Sequence, residues 1–286
     1  LSRDRKTRKM FPLIIVQEGR AVDAMKIIKP LKTNQGLWVW STAETTSKMS
    51  GMTSEQVTYD KFIDCLTQEG REPTSIGIKI RGSVAEGEES DNVEQAMTDA
   101  ELVLIGNAVF NDEYLVGFFT QEQSIGYNII RKYIDRFNLI FPCDDEDNFA
   151  SLSIKSKDVT KETTIKNGKP AAKINVDLEG SLNSLNCPLD LTKPETLEEL
   201  GEMASKEVET IINDTLTAVQ TEFKSDVLGF GENLYRFHNR EWRKIKDNWE
   251  EIFPTAEYKI EVNTTVADIM AFLESAEKGT DHGKKE

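Results

Sequence analysis

The sequence predicts an α+β fold of two mixed α/β domains, the C-terminal one a largely antiparallel sheet packed by long helices. Three observations lead to this prediction. Strands with alternating apolar residues are grouped apart from the helices, and the clearest of them covers residues 172–178. Asn167-Gly168, just before it, suits the type I′ turn of a hairpin because both residues tolerate positive φ. A long helix starts near Thr192 and carries apolar residues at steps of three and four as far as Phe223.

Residues 1–83 are predicted to form one α/β domain. Its predicted elements are a strand at 13–16, helices at 21–28, 37–49 and 59–68, and a strand at 76–80. Residues 84–99 are rich in acids and poor in apolar side chains. We therefore expect them to be an exposed acidic linker or loop.

Residues 100–278 are predicted to form the C-terminal α+β domain, and 279–286 a disordered tail. The predicted elements are a hairpin of strands 102–110 and 114–119, a helix at 121–137, two strands meeting at Asn167-Gly168, the long helix from Thr192, a helix at 240–252 and a strand at 257–266. Thr192 and Glu195 form a T-x-x-E capping box, and Pro194 lies in the first turn, where its missing N–H costs nothing. Asn239 is a suitable N-cap for the later helix.

The composition argues against several classes of function. The chain has 286 residues with 35 basic and 50 acidic side chains, which gives a net charge of −15. Nucleic acid is disfavoured as the main partner because phosphate backbones need concentrated positive charge. No run approaches the ~20 apolar residues of a membrane-spanning helix. The chain opens on Leu1 without an initiator Met, so we expect a trimmed product whose targeting or anchoring segment lies upstream.

Motifs for metal binding are weak. Cys65, Cys143 and Cys187 show no C-x-x-C spacing, so neither a zinc site nor a disulfide framework is expected. The acidic run 144–147 lacks the alternating spacing of a calcium loop and is expected to be solvated. We predict no metal and no cofactor.

Motifs for nucleotide binding and nucleophilic catalysis are equally weak. Gly229-Phe230-Gly231 lacks the third glycine of a dinucleotide fingerprint, so we expect a tight bend between two helices with Phe230 in the core. His238 has no Ser or Cys at a familiar catalytic spacing and is expected to be a surface or cap residue. No catalytic residue is predicted.

The predicted helix 240–252 carries its bases early and its acids late. This order opposes the helix dipole, which favours the reverse by ~0.3–1 kcal/mol for each charge. A basic patch of Arg236, Arg240, Arg243 and Lys244 is therefore a candidate contact for a partner or lipid headgroups, against the alternative of an ordinary solvated face. Trp242 and Trp249 are expected in the core, because their spacing matches that of the neighbouring apolar residues.

The segment 226–254, which we call the signature segment, resembles the C-terminal signature of the C-subunit lipoproteins of spore germinant receptors, the Ger(x)C-type spore germination proteins. The matching positions are Asp226, Gly229, Phe230, Gly231, Glu241, Trp242, Trp249, Ile252, Phe253 and Pro254. Two weaker stretches agree: the hairpin GNAVF at 106–110 with LVG at 115–117, and Arg3-Asp4 with Arg8 before the first strand.

The resemblance implies a non-enzymatic lipoprotein subunit of a nutrient-germinant receptor. It would lie on the outer face of the spore inner membrane, held by a lipid anchor, and act through protein–protein contacts with membrane-embedded receptor subunits. Family members begin with a signal peptide, a lipid-modified cysteine and a first domain, none of which is in this sequence. Residues 1–83 would then be a middle domain, and the chain an ectodomain without the N-terminal domain.

Two other functions remain open from the residues. One is an extracytoplasmic carboxylate-dependent hydrolase, which requires two convergent acids in a cleft. The other is a small-ligand binding module sited between the two segments, with the acidic linker as hinge.

Overall fold

The computed structural model describes residues 11–27, 41–46, 50–52, 58–87, 100–143, 148–191 and 193–268. They form two four-stranded sheets of mixed strand direction with helices packed around them. The predicted α+β class is confirmed. The proposed tail 279–286, the acidic run 144–147 and most of the stretch 84–99 lie outside the described residues.

The first sheet has the strand order β1-β2-β3-β4. Its strands are β1 (Ile14–Val16), β2 (Thr74–Gly82), β3 (Ala100–Asn111) and β4 (Tyr114–Phe118). β1 runs parallel to β2, and the other two pairings are antiparallel. The predicted hairpin is β3–β4, and its turn has Asp112 at φ +50°.

Short helices accompany this sheet. They are α1 (Ala21–Lys26), the helical residues 41–46, α2 (Tyr59–Thr67) and a single turn at Val84–Gly87. A small core forms where Ala24, Ile27 and Ala43 pack with Ile76 and Ile78 of β2. Buried residues occur on both faces of β2 from Thr74 to Ile78, whereas its last two residues, Arg81 and Gly82, are exposed.

The first sheet takes β1 and β2 from one side of the predicted linker 84–99 and β3 and β4 from the other. The division of the chain into domains at 84–99 stays a prediction.

The second sheet has the order β5-β6-β7-β8. Its strands are β5 (Arg136–Pro142), β6 (Phe149–Lys166), β7 (Lys169–Leu185) and β8 (Glu257–Asp268). β5, β6 and β7 are antiparallel neighbours, whereas β8 pairs in parallel with β7. Asn167 and Gly168 join β6 to β7 with φ of +51° and +80°, the two positive angles that a type I′ turn requires.

Helices cover this sheet and enclose the main core. They are α3 (Gln121–Ile130), α4 (Pro194–Thr217), α5 (Phe230–Phe237), α6 (Asn239–Ile245) and α7 (Trp249–Ile252). Alternate residues of β6 and β7, such as Ile154 and Ile174, are fully buried against α4, which contributes Leu200, Ala204 and Val208. None of the helices described is both long and apolar enough to cross a bilayer.

The helix predicted at 121–137 is wrong beyond Ile130. The chain leaves the helix at Lys132, which has φ +57°, and then forms β5. Phe137, Leu139 and Phe141 alternate with exposed neighbours, so they face the core with the period of a strand. At the start of α4, the N-cap is Lys193 without a side-chain hydrogen bond, so the structure does not bear out Thr192 as the cap. Thr192 itself lies outside the described residues.

The expectation that no disulfide forms is also wrong. Cys143 and Cys187 are bonded, with Cα atoms 6.0 Å apart, and Cys65 is free. Cys143 follows β5 and Cys187 follows β7, so it is sheet pairing that brings together two cysteines separated by 44 residues.

Candidate functional site

The signature segment is organised around the carboxylate of Asp226, which is 3% exposed. Its Oδ1 accepts hydrogen bonds from the backbone N–H groups of Gly229 (2.8 Å) and Phe230 (3.0 Å). Its Oδ2 accepts from the Gly231 N–H (2.7 Å) and from Nε1 of Trp249 (3.1 Å). Burial raises the pKa of Asp226 to about 6, against the lowering effect of these donors. The carboxylate therefore fixes the start of α5 and the second tryptophan together.

Gly229 and Phe230 form the bend that the sequence predicts. Gly229 has φ +74°, a left-handed conformation that strains residues with a side chain. A Cβ atom there would lie 2.7 Å from Nη1 of Arg131, so the glycine also admits a guanidinium. Phe230 is fully buried, with its ring centroid 5.0 Å from that of Tyr258 on β8.

The two tryptophans of the signature segment, Trp242 and Trp249, lie in the core, as expected from their spacing. Trp242 is 2% exposed and Trp249 is 8% exposed, and their rings meet edge to face at 5.3 Å. Phe253 packs on Trp249 at 6.0 Å. Nε1 of Trp242 donates to Oε2 of Glu69, which follows α2 (2.7 Å). Each buried indole N–H thus has a partner.

The predicted continuous helix at 240–252 is wrong. A turn of 3-10 helix at Lys246–Asn248 separates α6 from α7, and His238 rather than Asn239 is the N-cap residue. Arg243 and Lys244 consequently lie in the last turn of α6, where a positively charged side chain interacts favourably with the helix dipole. The argument that the order of charges opposes the dipole therefore fails.

Two matching positions of the signature segment, Glu241 and Pro254, are less buried. Glu241 lies exposed in the first turn of α6, while Pro254 accepts a hydrogen bond at its carbonyl oxygen from Nε2 of Gln220 (3.2 Å). Lys246 binds Glu69 at 2.9 Å, in place of the pairing with Glu250 that a continuous helix would have favoured.

The signature segment is joined to the first part of the chain by two closely crossing backbones. Cβ atoms built at Gly70 and Gly231 would lie 2.3 Å from the Gly231 carbonyl carbon and 2.9 Å from the Gly70 Cα respectively. The N–H of Glu232 donates to the Gly70 carbonyl (2.6 Å), and the N–H of Glu72 donates to that of Asp226 (3.1 Å). Since β2 begins at Thr74, this crossing fixes the first sheet against α5.

A cluster of charges that sequence reasoning missed lies beside the crossing. Oε2 of Glu232 contacts Nη1 of Arg71 (3.2 Å) and of Arg131 (3.3 Å), and Oε1 contacts Nη2 of Arg236 (2.6 Å). These three guanidinium groups lower the pKa of Glu232 against the raising effect of its burial. Lys161 of β6 lies beside them and donates to the Leu228 carbonyl. No local signal marked this cluster, because its members come from four distant parts of the chain.

The basic patch is exposed throughout: Arg236, Arg240, Arg243 and Lys244 all have solvent-accessible side chains. Arg236 is paired with Glu232, whereas the other three form no ion pair with any residue that the structure describes. Two aromatic side chains flank the patch, Tyr235 at 45% and Phe237 at 73% exposure. His238 is an exposed residue between α5 and α6, as expected. Within the described part of the chain, no group of three or more His, Cys, Asp or Glu side chains could hold a metal.

The molecule is an α+β protein with two mixed sheets. The signature segment, with its buried tryptophans and closely packed glycines, holds the two sheets together. Residues 105–270, more than half of the chain, match the family model described as Spore germination B3/GerAC like, C-terminal. The chain belongs to this family of spore germination proteins.

Three comparisons with individual proteins agree. Spore germination protein KC of Bacillus subtilis (strain 168) is 23% identical over 268 residues, covering 93% of this chain and 65% of that protein. Spore germination protein B3 of the same organism is 24% identical over 150 residues, covering 52% of this chain and 40% of that protein. The chain thus spans less than two thirds of either relative's length. The crystal structure of the GerBC protein shares the fold, with a TM-score of 0.67 and 18% identity over 93% of this chain and 71% of that chain.

Proposed function

We propose that this chain is the greater part of a non-enzymatic lipoprotein subunit of a nutrient-germinant receptor, acting in spore germination through protein–protein contacts. Its partners would be membrane-embedded receptor subunits, and a lipid anchor would hold it on the outer face of the spore inner membrane. The family match over residues 105–270 carries this proposal. The centre of the signature segment supports it, because the Asp226 carboxylate accepts four hydrogen bonds and the indole N–H groups of Trp242 and Trp249 both have partners, as in a packed structural unit.

The three arginines around Glu232 decide whether this residue could serve as the general acid of a carboxylate-dependent hydrolase. Such an enzyme needs a carboxyl group that keeps a proton for the leaving group. Three guanidinium groups instead hold Glu232 ionised by lowering its pKa. It is therefore a poor general acid.

The proposal is tested in spores that lack the gene and are complemented with the full-length protein carrying an affinity tag. Loss of the gene should slow the nutrient-induced fall in optical density, and complementation should restore it. Detergent extracts of the spore membrane should yield multi-pass membrane proteins together with the tagged protein. Normal germination of the deletion strain with every nutrient tested, and purification of the tagged chain alone, would contradict the proposal.

The basic patch is the surface that we assign to partner contact. Interfaces are enriched in arginine and aromatic side chains, and exposed Tyr235 and Phe237 precede exposed Arg240, Arg243 and Lys244 in the chain. Reversing the three charges together should lower the melting temperature by only a few degrees, because these side chains are exposed and the dipole interaction of Arg243 and Lys244 is worth about 0.3–1 kcal/mol each. It should reduce recovery of the partner by about tenfold or more if the contacts are electrostatically complementary.

A matched control is available on the second sheet. Lys155, Lys166 and Lys169 are exposed on β6 and β7, and reversing them changes the net charge by the same amount. This control should retain the partner. Equal recovery with both triple variants would exclude the patch as the contact surface, while the deletion phenotype would still stand.

A further inference from the structure

A cleft of about 800 Å³ opens between β6 and α5, and its charge is opposite to that of the chain. Its lining includes five cationic side chains: Arg71, Arg131, Lys132, Lys161 and Arg236. Among the described residues that line it, two are acidic, Glu162 and Glu232. The volume lies within the range of about 300–1,000 Å³ that small-molecule sites occupy.

The positive charge extends into the part of the cleft where the side chains are largely buried. The side chains of Arg71 and Arg131 are 13% and 11% exposed, and the Glu232 carboxylate that both contact is 10% exposed. Arg236, 61% exposed, contacts the same carboxylate from the rim. One negative charge is therefore shared by three guanidinium groups. The buried carboxylate of Asp226 is already bound by three N–H groups and an indole.

Lys161 is a fourth basic side chain in the lining of the cleft. Its Nζ donates to the Leu228 carbonyl and lies 5.2 Å from the centroid of the Phe230 ring. Burial and the neighbouring Arg131 lower its pKa to about 7, against the opposing effects of Asp226 and Glu232. A negative charge beside Nζ would favour the protonated form.

The guanidinium groups also have unused donors. The buried Nε atoms of Arg71 and Arg131 have no hydrogen-bond partner among the described residues. Leaving a buried donor without a partner is unfavourable, and surplus buried charge is more so. An anion in the cleft would offset part of this positive charge.

We propose that this cleft is a binding site for a small oxyanion, either a phosphate or a carboxylate group, with Arg131, Arg71, Lys161 and Arg236 as its recognition groups. Guanidinium forks match the geometry of both groups. The ligand is small because a chain of net charge −15 repels extended polyanions, so that attraction arises only within the cleft. The inference goes beyond the receptor-subunit role and does not depend on it.

The test is titration calorimetry of the whole chain with inorganic phosphate and, separately, with citrate, at constant ionic strength set with sodium chloride. Saturable binding of either probe with a Kd below about 10 mM is expected. Binding of phosphate alone, or of citrate alone, would identify the preferred group. The same ligand should raise the melting temperature, since it binds the folded state.

Variants assign the binding to the cleft. Lys161→Met should weaken it by about tenfold, and Arg236→Gln by about three- to fivefold because that side chain is exposed to solvent. Lys166→Met is the matched control, a lysine on the same strand that does not line the cleft. It should bind the probe as the unaltered chain does. If Lys161→Met lowers the melting temperature strongly, Arg236→Gln alone decides.

Two results would overturn the proposal. One is the absence of saturable binding of both probes. The other is binding that Arg236→Gln leaves unchanged or that Lys166→Met weakens equally, since either would place the anion elsewhere. Neither result would affect the deletion and co-purification tests of the receptor role.

Discussion

Replacing Gly70 with alanine would place a methyl group inside the backbone crossing that fixes the first sheet against α5. The new Cβ would lie 2.3 Å from the carbonyl carbon of Gly231 and 2.6 Å from the nitrogen of Glu232. Both are backbone atoms, so no side chain can rotate away. The crossing would have to open, and the 2.6 Å hydrogen bond from Glu232 to the Gly70 carbonyl would lengthen.

Two costs contribute to the expected loss of stability. Gly70 has φ +81°, and an alanine in that conformation costs about 1–2 kcal/mol. Forcing extra atoms into a packed region costs about 1–3 kcal/mol more. The sum is about 2–5 kcal/mol.

Gly168→Ala separates the two contributions. Gly168 has φ +80°, almost the same angle, but a Cβ there would meet nothing within 4 Å. It should therefore lose only the conformational part, about 1–2 kcal/mol. At about 2–4 °C for each kcal/mol, this is a fall of about 2–8 °C in melting temperature, and the fall for Gly70→Ala should exceed it by a further 2–12 °C or so.

The assay is unfolding by denaturant and by heat, followed by circular dichroism, for both variants and the unaltered chain. A Gly70→Ala variant no less stable than Gly168→Ala would refute the reasoning, because the crossing would then tolerate a methyl group. It would also mean that the first sheet is not fixed to the signature segment as closely as the contacts indicate.

Two further predictions concern pH and the disulfide. Burial raises the pKa of Glu72 to about 7, so between about pH 4.5 and 7 the folded chain keeps a proton that the unfolded chain releases, and stability from this group falls as pH rises. Glu72→Gln should therefore gain stability relative to the unaltered chain across that window in denaturant titrations, and a constant difference would contradict this assignment. The bond between Cys143 and Cys187 closes 44 residues, so reducing it should lower the free energy of unfolding by about 4 kcal/mol. A thiol assay on the denatured chain should find one free thiol, Cys65, before reduction and three after it; three before reduction would show that the bond is absent.

Local chemistry made several elements predictable. The hairpin at Asn167-Gly168 follows from two residues that accept positive φ between alternating strands. The placement of Trp242 and Trp249 in the core follows from their spacing. The bend at Gly229 follows from the freedom of glycine to take positive φ.

Other features depend on residues that only the fold brings together. Ile129, Ile130, Tyr133 and Ile134 continue a helical spacing past the true end of α3, and Lys132 gives no signal that it takes positive φ. The disulfide, the glycine crossing and the cations around Glu232 each join positions far apart in the chain. Periodicity and spacing carry no information about such pairs.

The parallel pairing of β8 with β7 has a consequence for folding. β7 ends at Leu185 and β8 begins at Glu257, so the open side of an interior strand is covered only after a long connection has brought β8 back to it. Unpaired strand edges recruit other chains. Partly folded molecules in which β8 has not yet docked should therefore be the ones that aggregate, and truncation after residue 256 should lower the yield of monomer on refolding.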